Sequence, residues 1–119
     1  MKRILVVEDN ENNRYLTCFL LKYNSCEVIE ATTGKKAIEL FKKESPDLIL
    51  MDIQLPDIDG LEATKRIRKL KSGKDVPIIA ITSFAMAGDK EKLLQGGCSG
   101  YILKPINPET FMDEIKRHL

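Results

Sequence analysis

Four strand-like apolar runs each stop at a polar residue, and this repeated punctuation narrows the folds open to the chain. Ile4-Leu5-Val6-Val7 runs into Glu8-Asp9, and Leu48-Ile49-Leu50-Met51 into Asp52. Ile78-Ile79-Ala80-Ile81 runs into Thr82, and Tyr101-Ile102-Leu103 into Lys104-Pro105. Helix-period segments separate the runs, the pattern of a parallel sheet wrapped by helices. The third strand, Asp47 to Met51, is apolar at every position from Leu48, as expected of a strand buried on both faces. In such sheets ligands bind outside the carboxyl ends of the strands. Three carboxylates, one hydroxyl and one ammonium are therefore expected to share one crevice.

The segments between the runs carry their own start and stop signals. Asp9 or Asn10 can cap a first helix, on which Leu16, Phe19 and Leu20 fall on one face. Cys26 to Glu30 reads as a second strand. Thr33 can cap a second helix with Ala37, Ile38 and Phe41 on one face, stopped by Ser45-Pro46. Asp59, followed by Glu62, is a capping-box-like start for a third helix with an inner stripe of Leu61, Thr64, Ile67 and Leu70, ending at Ser72-Gly73. Val76 to Ile81 is the fourth strand. A helix from about Ala87 to Gln95 follows, stopped by Gly96-Gly97; Met86, Leu93 and Leu94 read most simply as its core, and any of them exposed would mark a partner surface on the fourth helix, fifth strand and last helix. Gly100 to Leu103 is the fifth strand. Asn107 can cap a last helix with Pro108 at its first position and Phe111, Ile115 and Leu119 inward.

Size and charge exclude several functions. The 119 residues suit one domain, 1–119, burying roughly two thirds of its unfolded surface. Only Met1-Lys2-Arg3 precedes the first strand and nothing follows the last helix, so no output domain is expected. Net charge is +1 with both signs interspersed, which offers no nucleic-acid face. No apolar run approaches a membrane span. Cys18, Cys26 and Cys98 form no CxxC pair, which fits free thiols in a reducing cytoplasm.

The convergent residues point to phosphoryl chemistry. Glu8 and Asp9 stand in the first strand-to-helix turn, where nucleotide- and flavin-binding relatives of this architecture place phosphate-cradling glycines or hydroxyls. Two carboxylates there would repel phosphate unless a cation intervened. With Asp52 beside them, three negative charges must either protonate or bind metal. An all-oxygen set suits a hard ion, and Mg²⁺ fits carboxylates, waters and a phosphate. Asp52 is the candidate nucleophile, since a carboxylate can take phosphorus as an acyl phosphate. Pro56 and Gly60 fix a tight loop that can turn a backbone carbonyl, that of Gln54, onto the metal. Lys104 offers a compact positive charge for phosphoryl oxygens, and a cis bond to Pro105 could aim it into the crevice. Thr82 offers a hydroxyl. Singly, each residue also reads as a helix cap, a solvated lysine or core packing; their convergence carries the weight. His118, the one histidine, reads as a surface cap in a last helical turn, so a histidine phosphodonor must come from another molecule.

Taken together, Glu8-Asp9, Asp52 with Pro56 and Gly60, Thr82, and Lys104-Pro105 resemble the receiver domain of two-component response regulators over the whole chain. The resemblance implies a doubly wound α/β fold, flavodoxin/CheY-like, with a five-stranded parallel sheet in the order 2-1-3-4-5 and five helices. It implies Mg²⁺ on Glu8, Asp9, Asp52 and the Gln54 carbonyl. It further implies phosphorylation of Asp52 by a histidine kinase, with Thr82 and Lys104 sensing the phosphate and Tyr101 as a rotating aromatic switch. Partners would be a histidine kinase or histidine phosphotransfer protein and a downstream effector protein. Glu8-Asp9-Asn10 and the segment Phe84-Ala85-Met86-Ala87-Gly88-Asp89, with Gly96-Gly97-Cys98, look like single-domain regulators of the DivK type. The run Glu8 to Arg14 also resembles receivers of hybrid kinases. Ser83 departs from the small residue usual in the family, and an extra hydroxyl there can touch the phosphoryl group or narrow access to it. Phe84 is apolar where some members carry a polar group.

Rival readings remain. A phosphorelay shuttle would pass the phosphate from Asp52 to a histidine phosphotransfer protein. A Mg²⁺-dependent phosphatase on a related fold needs an acid two residues after its nucleophile, and Gln54 stands there. A flavin carrier is disfavoured by the acidic first turn.

Overall fold

The computed structural model describes residues 1–83 and 88–119. Among these residues, five parallel strands form one sheet in the order β2-β1-β3-β4-β5. The strands are β1 (Arg3–Val7), β2 (Glu27–Ala31), β3 (Leu48–Asp52), β4 (Ile78–Thr82) and β5 (Gly100–Leu103). The helices are α1 (Glu11–Tyr23), α2 (Gly34–Glu44), α3 (Gly60–Lys69), α4 (Asp89–Gln95) and α5 (Phe111–Lys116). This is the doubly wound α/β order that the family resemblance implies.

Strand alternation sorts the core into two faces. Ile4, Val6, Leu48, Leu50, Ile79, Ile81 and Ile102 pack against Cys18 and Leu21 of α1 and Phe111 and Ile115 of α5. Leu5, Val7, Ile49, Met51 and Ile78 face the other way, onto Ala37 and Phe41 of α2 and Ala63 and Ile67 of α3. Ala80 continues that face under Leu93 of α4 and Cys98. All five residues of β3 are buried. Each such aliphatic side chain contributes about 1.5–3 kcal/mol on leaving water, so the central strand is rigid scaffold right up to Asp52.

Several boundaries differ from the sequence reading. The strands β2, β3 and β4 run one residue further at their carboxyl ends, so Asp52 and Thr82 lie within the ladder, Asp52 opposite Ile81 and Thr82 opposite Leu103. In α1 the buried residues are Thr17, Cys18 and Leu21, while Leu16 and Phe19 are exposed and Leu20 is half-buried. Two neighbouring stripes of this helix have helical spacing, and the smaller side chains let it approach the sheet. The larger rings stack on one another instead, Tyr15 on Phe19 at 6.5 Å and Phe19 on Tyr23 at 6.2 Å between centroids. Helix α5 starts at Phe111, not at Pro108, because the Asn107 Oδ1 accepts from the Glu109 N–H and closes a separate turn. Leu119 is exposed. Helix α3 ends at Lys69, ahead of a 3₁₀ turn over Lys71–Gly73. Phe84, Met86 and the Ala87 start of the fourth helix lie outside the described residues.

Local capping agrees better. The side chains of Asn10, Thr33 and Asp59 accept from the N–H groups of Asn13, Lys36 and Glu62, which satisfies helix donors left without intrahelical partners. Gly60 is fixed by contact. A Cβ there would lie 2.1 Å from the Asp52 carbonyl oxygen. Gly60→Ala is therefore expected to lower stability by about 1–3 kcal/mol in thermal or urea denaturation; an unchanged midpoint would show that the loop relaxes freely.

Candidate functional site

The carboxyl ends of β1 and β3 place Glu8, Asp9 and Asp52 together. One oxygen of each lies within 4.8 Å of the others. Glu8 and Asp52 are the buried acidic residues among those described, at 6% and 2% exposure, while Asp9 is open to solvent. Lys104, on the residue after β5, brings its Nζ to 3.2 Å from Asp52 Oδ1 and 3.4 Å from Glu8 Oε1. The Lys104–Pro105 peptide is cis. Thr82 is buried at the end of β4. The Gln54 side chain is exposed, and its N–H donates to Asp52 Oδ1 at 3.1 Å.

Three carboxylates thus face one ammonium. When all are ionised, two negative charges are left over, the charge of one divalent cation. Without a cation the cluster compensates by holding a proton. Burial pushes the Glu8 carboxyl up, helped by a hydrogen bond to Asp52 and by its charge, against the opposing pull of Lys104, to about 7. The all-oxygen donor set and this charge excess fit a hard divalent ion.

Beside these groups a cleft of about 290 Å³ is lined by Glu8, Asn13, Leu16, Ser83, Lys104, Pro105 and Ile106. Ser83 is exposed there. Tyr101 is half-buried away from the carboxylates. It packs on Ala80, Leu93 and Cys98 and lines a groove with Asn107, Thr110 and Glu114. His118 lies at the opposite end of the sheet, its ring about 3.0 Å from where a Cβ on Gly100 would sit.

Two groups that hold the site in place had no sequence signal. Asp57, in the loop after β3, accepts from the Gly34 and Lys35 N–H groups at 2.8 and 2.9 Å and so ties that loop to the start of α2. Desolvation raises the Asp57 pKa, but the backbone N–H groups of Lys35, Gly34, Ile58 and Asp57 itself prevail and hold it at about 2. Arg14 of α1 donates to the Glu8 carbonyl. The partners of both residues lie on other elements, so local pattern does not show them.

Residues 4–116 match the family model of the response regulator receiver domain. The chain belongs to that family. It is 45% identical over 118 residues to the polar-differentiation response regulator DivK of Brucella ovis, covering 99% of this chain and 96% of that one. The receiver domain of sensor histidine kinase PA1611 from Pseudomonas aeruginosa PAO1, solved with a magnesium ion coordinated in its active site cleft, superposes with TM-score 0.91 at 36% identity, covering 98% and 96% of the two chains. Chemotaxis protein CheY4 of Vibrio cholerae superposes with TM-score 0.95 at 29% identity, over 100% of this chain and 99% of its own. Phosphorylation-based signalling is the general function of receiver domains, which act as phospho-accepting signalling proteins. Among the described residues no helix is long and apolar enough to cross a membrane.

The raised Glu8 carboxyl gives this receiver a pH signature. The metal-free folded form keeps the proton up to about 7, whereas an ordinary carboxyl releases it near 4.5. Across that window the folded state binds more protons than the unfolded chain. The stability this supplies is complete below the lower value and is lost as pH rises through the upper one. In chelator-treated protein the melting midpoint is expected to fall over that window, and Glu8→Gln is expected to flatten the slope. A wild-type slope equal to that of Glu8→Gln would contradict the shared proton.

Proposed function

We propose that this receiver takes a phosphoryl group onto Asp52 from a phosphohistidine of a histidine kinase or histidine phosphotransfer protein, and signals through the surface that this changes. The observation that carries the reading is Asp52 itself: buried, at the end of a fully buried strand, 3.2 Å from the Lys104 ammonium and within reach of two further carboxylates. Glu8, Asp9 and Asp52 would hold Mg²⁺ with the Gln54 carbonyl. When bound, Mg²⁺ supplies positive charge against the phosphoryl oxygens.

A carboxylate oxygen of Asp52 attacks phosphorus in line. The P–O bond forms as the P–N bond of the phosphohistidine breaks, and the imidazole leaves with the electron pair. The protein contributes position and charge rather than acid–base chemistry. Lys104 already bridges Asp52 and Glu8, and as Asp52 gives up its charge the ammonium turns to the phosphoryl oxygens. Thr82, at the end of the neighbouring strand, offers its hydroxyl to the same oxygens. Tyr101, on the adjacent strand between α4 and α5, would register that shift. Such coupling needs contacts that differ between the two states. Residues 1–119 would then be one receiver domain read by a downstream effector protein. Its three cysteines are buried and unpaired, which suits a cytoplasmic setting.

Intact mass after incubation with acetyl phosphate tests the chemistry. One added phosphoryl group is expected with Mg²⁺ on the wild type, and none without Mg²⁺ or on Asp52→Asn. No gain from acetyl phosphate, and none from a phosphorylated histidine protein, would overturn the proposal.

A further inference from the structure

Glu8 is one of the three carboxylates of the acidic pocket, and its backbone is held from both sides. Its N–H donates to the Ala31 carbonyl at 3.0 Å, from the last residue of β2. Its carbonyl accepts from Arg14 Nη1 at 3.1 Å. The same guanidinium reaches back with Nε to Glu30 Oε1 at 3.2 Å. Two adjacent residues of the edge strand, Glu30 and Ala31, thus fix the two peptide groups of Glu8, one directly and one through Arg14.

We infer that Arg14 is a positioning residue for the Mg²⁺ site: it locks the Glu8 main chain so that the Glu8 carboxylate stays over Asp52, and Glu30 holds Arg14 in that pose. The inference rests on the metal reading given above. Arg14 is the suited residue because its planar fork presents separate nitrogens to a carbonyl and a carboxylate at once. Lysine has one nitrogen and cannot span both partners in that geometry. Asn10 and Asn13 cap α1 through a hydrogen bond of their own, so α1 does not need Arg14 in order to start.

Charge alone would act in the opposite sense. Removing a cation near three carboxylates should tighten Mg²⁺ binding, whereas losing a positioning clamp should weaken it. Outer-sphere partners of metal ligands are typically worth 10–100-fold in affinity, and a clamp on the backbone of one ligand should sit near the lower end, about tenfold.

Mg²⁺ affinity measured by calorimetric titration on the full chain decides the matter, with Tyr15→Ala as a neighbouring surface control. Arg14→Met is expected to weaken binding about tenfold, Arg14→Lys to remain weak, and Glu30→Gln to weaken it to a smaller degree. Tyr15→Ala should leave it unchanged. Glu30 is an exposed strand-edge residue, so Glu30→Gln keeps the test open if Arg14→Met does not fold. Unchanged or tighter Mg²⁺ binding in Arg14→Met, or full restoration by Arg14→Lys, would overturn the inference. Wild-type protein that binds no Mg²⁺ would overturn the metal reading itself, and this inference with it.

Discussion

The rest of the site depends on an excess of negative charge that the fold forces together. Asp52 ends β3 and Glu8 follows β1, neighbouring parallel strands that are buried throughout except at Arg3. Lys104 offsets part of the charge, and a proton shared with Glu8 offsets more. On the proposed reading both devices are replaceable: a cation would displace the proton, and a phosphoryl group would draw the ammonium away from Asp52. The core makes this frustration permanent, and the frustration makes the site responsive.

The surrounding contacts confine that response. Asp57 fastens the loop after Asp52 to the start of α2, and Gly60 lets α3 begin in contact with the Asp52 backbone. At the far end of the sheet, Arg68 donates to the carbonyls of Gly97, Gly73 and Val76 and to the Ser99 hydroxyl. It thereby ties the exit of α4 to α3 and to the approach to β4.

Much of this was legible in the sequence because parallel sheets put chemistry at one edge. The apolar runs fixed where Glu8, Asp52, Thr82 and Lys104 would fall, and the caps at Thr33 and Asp59 followed from residue type alone. The phase of α1 was not legible, since Tyr15, Leu16, Phe19 and Leu20 are as apolar as the stripe that is actually buried. The start of α5 was misplaced because Asn107 caps a turn rather than a helix. Arg14, Asp57 and Arg68 escaped because their partners lie on other elements and loops, several of them 16 to 31 residues away, where no local pattern shows them.

The central claim is that Asp52 is the acceptor. An acyl phosphate is reduced by hydride to an alcohol, so borohydride treatment of the phosphorylated protein followed by peptide mapping reads the acceptor directly. Homoserine is expected at position 52, with Glu8 and Asp9 unmodified. Reduction at another carboxylate, or a phosphoryl group that resists borohydride because it sits on nitrogen, would contradict it.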